Sequence, residues 1–205
     1  MQVTKDLILI WCVLTGSAAF AEPVKDHFYL DGVYMFNVTS TANTTDFEFT
    51  ESNGLALFGG YRINSAFTME LGGIAFDTIK SLESTPSSNI HTEYQVTGYS
   101  FGIRGIAPVG KLFNVWAGAG VFQWDSVFNY SIDYPSFPEL HRSGSNSHSG
   151  QDYYLRLGVT HPLTDSLDVT LESMQMKLSD FFANTEQNNT DFDQNYIGLG
   201  INWHF

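Results

Sequence analysis

The last ten residues of the sequence, YIGLGINWHF from Tyr196 to Phe205, decide the fold. Every second residue is apolar, and the last two of that set are aromatic: Ile197, Leu199, Ile201, Trp203 and Phe205. The residues between them are mostly small or polar: Tyr196, Gly198, Gly200, Asn202 and His204. Strict alternation is typical of a β-strand with two different faces. A soluble sheet rarely leaves so apolar an edge uncovered, so the pattern predicts a strand with lipid outside and a packed polar interior inside.

The composition excludes some functions and leaves two fold classes open. A length of 205 residues predicts one domain, and a net charge of −13 argues against nucleic-acid binding, which requires a basic face. Aromatic residues make up 15% of the chain, and 18 residues are glycine. This profile fits a bacterial outer-membrane barrel, and it also fits a periplasmic or surface β-sandwich.

The N-terminal residues predict export. Lys5 precedes an apolar run from Leu7 to Leu14, and the following GSAAFA places Ala19 and Ala21 at the spacing of a signal-peptidase site. The run is too short to span a bilayer as a helix. We therefore predict a cleavable signal peptide at residues 1–21 and a single barrel domain at residues 22–205.

Eight alternating segments predict eight strands, at about 28–38, 55–63, 67–76, 94–107, 113–124, 152–161, 167–177 and 196–205. Three short turns are expected at 64–65, 108–111 and 162–166, and four long polar loops at 39–53, 78–93, 125–151 and 178–191. In the fifth segment Trp116 and Phe122 fall opposite Val115 and Val121, so its phase stays open. Short turns on one side and long loops on the other predict an all-β, eight-stranded antiparallel up-and-down transmembrane β-barrel.

Aromatic residues on the outward phase support the barrel against the sandwich. Six of them fall near the short-turn end of their strands: Phe28, Tyr61, Phe67, Phe113, Trp203 and Phe205. Aromatic rings concentrate at membrane–water interfaces, so this set predicts a periplasmic aromatic girdle. In a sandwich these rings would be scattered through the core.

Three stretches resemble the OmpA-like and OmpX-like family of small eight-stranded outer-membrane barrels. They are GLALFGGYRINSAFTMELGG from Gly54, SFGIRGIAPVGKLFNVWAGAG from Ser100, and the terminal aromatic-x-Phe of Trp203 and Phe205. The resemblance covers the chain after the signal segment and is a pattern, with no catalytic signature. It implies the outer membrane of a Gram-negative bacterium, adhesive surface loops, and recognition of Phe205 by the barrel assembly machinery.

Six charged residues are predicted to face the barrel interior: Asp31, Arg62, Glu70, Arg104, Arg156 and Glu172. Eight strands enclose an interior that side chains fill, and buried charges must be paired. The equal number of acids and arginines makes pairing feasible, and the resemblance implies that such a network plugs the barrel. The alternative is a narrow pore with an ion gate.

The predicted loops are acidic, and two interpretations stay open. The acids are Asp46, Glu48, Glu51, Asp77, Glu83, Asp133, Glu139, Glu186, Asp191 and Asp193. They form either a solvated surface suited to lipopolysaccharide bridged by divalent cations, or a binding surface for a basic host or phage ligand. The expected partners are therefore outer-membrane lipid and lipopolysaccharide, with a surface ligand as a candidate. We expect a monomer and no nucleic-acid partner.

A lipid A-modifying barrel enzyme is the alternative from another functional class. The loop HRSGSNSHSGQD contains His141, His148 and several serines and ends at Asp152. Barrel enzymes of this kind place His and Ser together on the lipid-facing side of a strand. Here the outward strand histidine, His161, is followed by Pro162 instead of a serine. We therefore predict no catalytic residue, no metal site and no cofactor.

Overall fold

The computed structural model describes residues 26–42, 52–84, 87–137, 139–179 and 192–205. Their strands are β1 (Phe28–Ala42), β2 (Ser52–Arg62), β3 (Phe67–Phe76), β4 (Ile79–Ser84), β5 (Asn89–Val109), β6 (Phe113–Asp133), β7 (Arg142–Pro162), β8 (Leu167–Leu178) and β9 (Phe192–His204). No helix long and apolar enough to cross a membrane occurs in these ranges. The predicted signal peptide at 1–21 lies outside the described residues, as does most of the loops at 39–53 and 178–191.

The strands form one closed antiparallel sheet. Their order is β3-β2-β1-β9-β8-β7-β6-β5-β4, and β3 also pairs with β5. Because β3 and β4 pair one after the other with the same neighbour, the ring has eight positions. The predicted eight-stranded antiparallel barrel is confirmed. The three predicted short turns are present within about two residues of their expected places. They are bends at residues 63–66 and 163–166 and a turn at 110–112.

The strands are staggered, so a row of paired residues climbs the wall. From Phe28 the row passes through Tyr61, Met69, Ile103, Ala119, Leu155, Gln175 and Asn195. Asn195 then pairs with Thr39 of β1, far above the starting residue Phe28. A closed ring with this stagger requires strands that tilt against the barrel axis.

Two of the predicted long loops are largely strand. Residues 79–84 form β4, and β5 begins at Asn89, so most of the predicted loop at 78–93 is a hairpin. β6 continues to Asp133 and β7 begins at Arg142, so the loop at 125–151 shortens to residues 134–141. Residues 142–151 of β7 carry no apolar alternation, so nothing in the sequence marks them as a strand. In β6 the signal was present and was overlooked, because Phe128, Tyr130 and Ile132 still alternate with Asn129, Ser131 and Asp133.

The structure resolves the phase of the fifth predicted strand, now β6. Trp116, Phe122 and Trp124 are buried in the barrel interior. Ala117 and Ala119 lie on the opposite, lipid-facing phase. The indole and phenyl rings of Trp116, Phe122 and Trp124 therefore fill the lumen, and Val115, Ala117, Ala119 and Val121 form the outward phase.

Candidate functional site

Five charged side chains from five strands meet in the lumen. They are Asp31 of β1, Glu70 of β3, Arg104 of β5, Arg156 of β7 and Glu172 of β8, each at most 2% exposed. Arg104 Nη2 lies 2.9 Å from Asp31 Oδ2 and 2.5 Å from Glu70 Oε1. Arg156 lies 2.6 Å from Glu172, 3.2 Å from Glu70 and 3.6 Å from Asp31. We call these five residues the lumen cluster.

Aromatic side chains complete the lumen cluster. The Tyr29 hydroxyl donates a hydrogen bond to Glu70, and the Tyr196 hydroxyl donates one of 3.1 Å to Glu172. The Arg156 guanidinium lies 3.6 Å from the centre of the Phe58 ring, and that of Arg104 lies 3.9 Å from the Trp116 ring. Each arginine is thus held by carboxylates and by a ring face, which a cation favours. In the sequence Tyr29 alternates with the same inward phase as Asp31, and Tyr196 with that of Asn202, but the stagger decides which acid each one reaches.

Arg62, the sixth predicted interior charge, lies apart from the lumen cluster at the periplasmic end. Its Nη2 is 2.7 Å from His204 Nδ1, and His204 Nε2 is 2.5 Å from Asp168 Oδ2. Because a guanidinium can only donate, Nδ1 accepts and Nε2 carries the proton that Asp168 accepts. Asp168 was missed in the sequence, although its inward phase with Thr170 and Glu172 could have revealed it.

Because Arg62 lies outside the lumen cluster, acids outnumber arginines within it. Three carboxylates face two guanidiniums in the lumen cluster, instead of the three against three that the sequence suggested. Asp31 Oδ1 has no hydrogen-bond partner among the described atoms. The cluster therefore carries one formal negative charge more than its arginines can neutralise.

Apolar and aromatic side chains fill the lumen on the extracellular side of the cluster. The layer includes Met35, Phe76, Phe122, Trp124, Met174, Met176 and Leu178. Several rings lie directly on glycines of the next strand. A Cβ added to Gly158 would meet the Trp116 ring at 2.3 Å, and one added to Gly150 would meet the Trp124 ring at 2.5 Å. The missing side chains are what allow such large rings inside so narrow a barrel.

The six girdle residues lie where the strands meet the short turns. Phe28, Tyr61, Phe113, Trp203 and Phe205 are exposed, and Phe67 is half-buried. Ring centres are 5.3 Å apart for Phe28 and Tyr61, 6.4 Å for Phe28 and Phe205, and 5.6 Å for Trp203 and Phe205. The backbones of Phe28 and Phe205 also exchange two hydrogen bonds, of 3.2 and 3.0 Å. The last residue of the sequence therefore closes the ring against the start of β1.

The histidines and acids of the extracellular hairpins make structural contacts. Asp152 accepts hydrogen bonds from Trp124 Nε1 at 2.8 Å and from the Ser179 amide at 2.9 Å. The His148 ring lies against Trp124, with ring centres 5.5 Å apart. His161, far away at the periplasmic end, contacts the Leu112 carbonyl through Nδ1 at 2.7 Å. Among the described residues, no group of three His, Cys, Asp or Glu side chains could hold a metal ion.

Comparison with known proteins identifies the family. A family model described as an outer membrane protein beta-barrel domain matches residues 8–205. This chain belongs to that outer-membrane β-barrel family. The predicted location in a Gram-negative outer membrane is thereby confirmed. No curated protein sequence matches the chain.

Solved structures share the fold at low sequence identity. Neisserial surface protein A covers 87% of this chain and 97% of its own at 11% identity, with a TM-score of 0.57. Ail, the attachment invasion locus protein of Yersinia pestis, solved with the heparin analogue sucrose octasulfate, covers 88% and 100% at 9% identity, with a TM-score of 0.50. At these identities the likeness concerns the fold alone.

Proposed function

We propose that this barrel is a non-enzymatic, monomeric structural protein of the outer membrane, with a plugged lumen and extracellular hairpins that bind a surface ligand. The proposal of a plugged lumen rests on two layers that lie one above the other in it, the lumen cluster and the apolar layer. A permeating ion must separate the buried pairs of Arg104 and Arg156, which costs several kcal/mol, and then cross an apolar layer that disfavours water. Packing and pairing both oppose conduction.

Planar-bilayer recording tests the plug. The wild-type barrel should give no conductance steps. A matched variant with Phe122→Ala and Met176→Ala, which thins the apolar layer but keeps the lumen cluster, should begin to conduct. Steady ohmic conductance of the wild type would overturn the plug and favour the narrow-pore alternative.

The extracellular parts of β5, β6 and β7 are the candidate ligand surface. Pairing between β5 and β6 continues to Asn89 and Asp133, and pairing between β6 and β7 continues to Ile132 and Arg142. These paired strands form a sheet above the lipid with a largely polar outward face, called here the extracellular extension. Its outward face carries Asp125, Asp133 and Glu93. Its acidic charge favours a basic host or phage ligand, in contrast to the sulfated sugar bound by Ail.

Binding to host cells or phage at increasing salt tests this surface. An Asp125→Asn, Asp133→Asn variant should bind more weakly at low salt and lose most of the salt dependence, because screening acts on exposed charges. Tyr34→Phe, on the lipid-facing wall, is the matched control and should bind like the wild type. Binding that is indifferent to both salt and these substitutions would argue against a basic ligand.

Two further partners belong to the proposal. The acidic extension supports contact with lipopolysaccharide through divalent cations, and the exposed Phe205 ring supports recognition by the barrel assembly machinery. A Phe205→Asp variant should accumulate in the periplasm, whereas Asp133→Asn should reach the outer membrane normally. Equal outer-membrane amounts of both variants would argue against a role for Phe205 in assembly. The division into a signal peptide at 1–21 and a barrel at 22–205 remains part of this proposal.

A further inference from the structure

An oblique groove crosses the lipid-facing surface of the barrel. Its volume is about 1100 Å³. Two neighbouring rows of exposed side chains form its walls, with Leu57 and Tyr99 in one row and Tyr34 and Leu55 in the other. The floor is the backbone of the inward-facing residues between the rows, including Val33, Ala56 and Ile74. The groove therefore lies on the outside of the barrel wall.

Two glycines widen the groove. Gly32 and Gly73 pair with Leu57 from the two sides and occupy the same row of the wall. A Cβ added to either glycine would have no atom within 4 Å. The gaps are therefore open space on the surface, and larger side chains could fill them without a clash.

The stagger of the strands makes the groove climb through the membrane. From Val169 of β8 to Asp125 of β6 the lining crosses six strand spacings of about 4.8 Å, or about 29 Å along the curved wall. One leaflet of the hydrocarbon core is about 15 Å deep, so the groove is long enough for an acyl chain. At its extracellular end the lining turns polar at Thr97 and Asp125, which pair across β5 and β6. A chain lying in the groove would thus have its head group at the outer surface.

We propose that this groove holds one acyl chain of a lipopolysaccharide molecule from the outer leaflet. The inference rests on the proposed contact with lipopolysaccharide, but neither on the plug nor on the ligand of the extracellular extension. In lipid the hydrophobic effect favours no particular apolar site, so selectivity must come from close packing in the gaps at Gly32 and Gly73. Asp125 adds a carboxylate that can share Mg²⁺ with a lipid phosphate.

Filling the gaps tests the site. The Gly32→Leu, Gly73→Leu variant would close the groove, and Gly59→Leu is the matched control. Gly59 also faces open space on the outside of the wall, but it does not line the groove. Each barrel is purified from outer membranes in mild detergent with Mg²⁺, and the bound lipopolysaccharide and phospholipid are measured by mass spectrometry.

The wild type and Gly59→Leu should retain lipopolysaccharide, and the filled variant should retain about tenfold less. Replacing Mg²⁺ with EDTA should release the lipid from the wild type. This measurement uses only the wild-type protein, so it does not depend on whether a variant folds. Equal retention by all three proteins, retention of phospholipid alone, or retention that survives EDTA would overturn the proposal. Unaltered binding of the surface ligand by the filled variant would show that the proposed function stands independently.

Discussion

The strands β5, β6 and β7 run through both the membrane-spanning wall and the extracellular extension, yet different forces hold the two regions. In the wall one face meets lipid and the other meets a packed lumen, where Arg104 of β5 and Arg156 of β7 each form ion pairs with at least two carboxylates. In the extension the outward face is largely polar, and the ion pair that Glu93 of β5 makes with Lys80 of the neighbouring β4, at 2.9 Å, is exposed. Buried pairs become costly when one partner is lost, whereas exposed pairs contribute little. The wall should therefore set stability, and the extension should be free to set binding.

Arg156→Met should have the largest effect on stability. The substitution leaves Glu172 buried without its cation and removes one of the two arginines beside Glu70, which should lower the free energy of unfolding by about 3–5 kcal/mol. Arg142→Met, an exposed site at the start of β7, is the control and should change it by less than about 0.5 kcal/mol. Urea unfolding in lipid vesicles, followed by tryptophan fluorescence, measures both. Similar losses at the two sites would erase the contrast between wall and extension.

Tyr29→Phe should have the next largest effect. It removes the hydroxyl that donates to Glu70 but keeps the ring that lies between Arg62 and Arg104. Hydrogen bonds to charged groups contribute about 1.5–3 kcal/mol, so we expect a loss in that range from the same unfolding experiment. Tyr34→Phe on the lipid-facing side should be nearly neutral. A neutral Tyr29→Phe would mean that Glu70 is held by its arginines alone.

Two glycine substitutions sharpen the comparison at a smaller scale. Gly158 in the wall and Gly144 in the extension both lie under aromatic rings. A Cβ added to Gly158 would lie 2.3 Å from the Trp116 ring, and one added to Gly144 would lie 2.6 Å from the Tyr130 ring. Trp116 is buried, whereas Tyr130 is only half-buried and has room to move. Gly158→Ala should therefore cost about 1–3 kcal/mol, and Gly144→Ala clearly less. Equal costs would show that the extension is packed as tightly as the lumen.

The same contrast explains what the sequence could predict. Where lipid lies on one side, alternation located strands such as β3 at its actual bounds, Phe67–Phe76. Above the lipid the run RSGSNSHSGQ carries no apolar period, so the first ten residues of β7 were interpreted as loop. Inward phase alone grouped Arg62 with the lumen cluster, because phase says nothing about height along a tilted strand. The inward phase of Asp168 was readable in the sequence and was overlooked, but only the register shows that it lies beside His204.

Truncating the extension tests the division between wall and extension most directly. A variant in which residues 127–147 are replaced by a two-residue Asn-Gly hairpin turn keeps every residue of the lumen cluster and of the apolar layer. It should fold, shift its gel mobility on boiling like the wild type, and keep its free energy of unfolding within about 1 kcal/mol, because closed strand pairing and lumen packing are intact. It should also lose binding to the surface ligand. A truncated barrel that fails to fold, or that still binds the ligand like the wild type, would contradict the account.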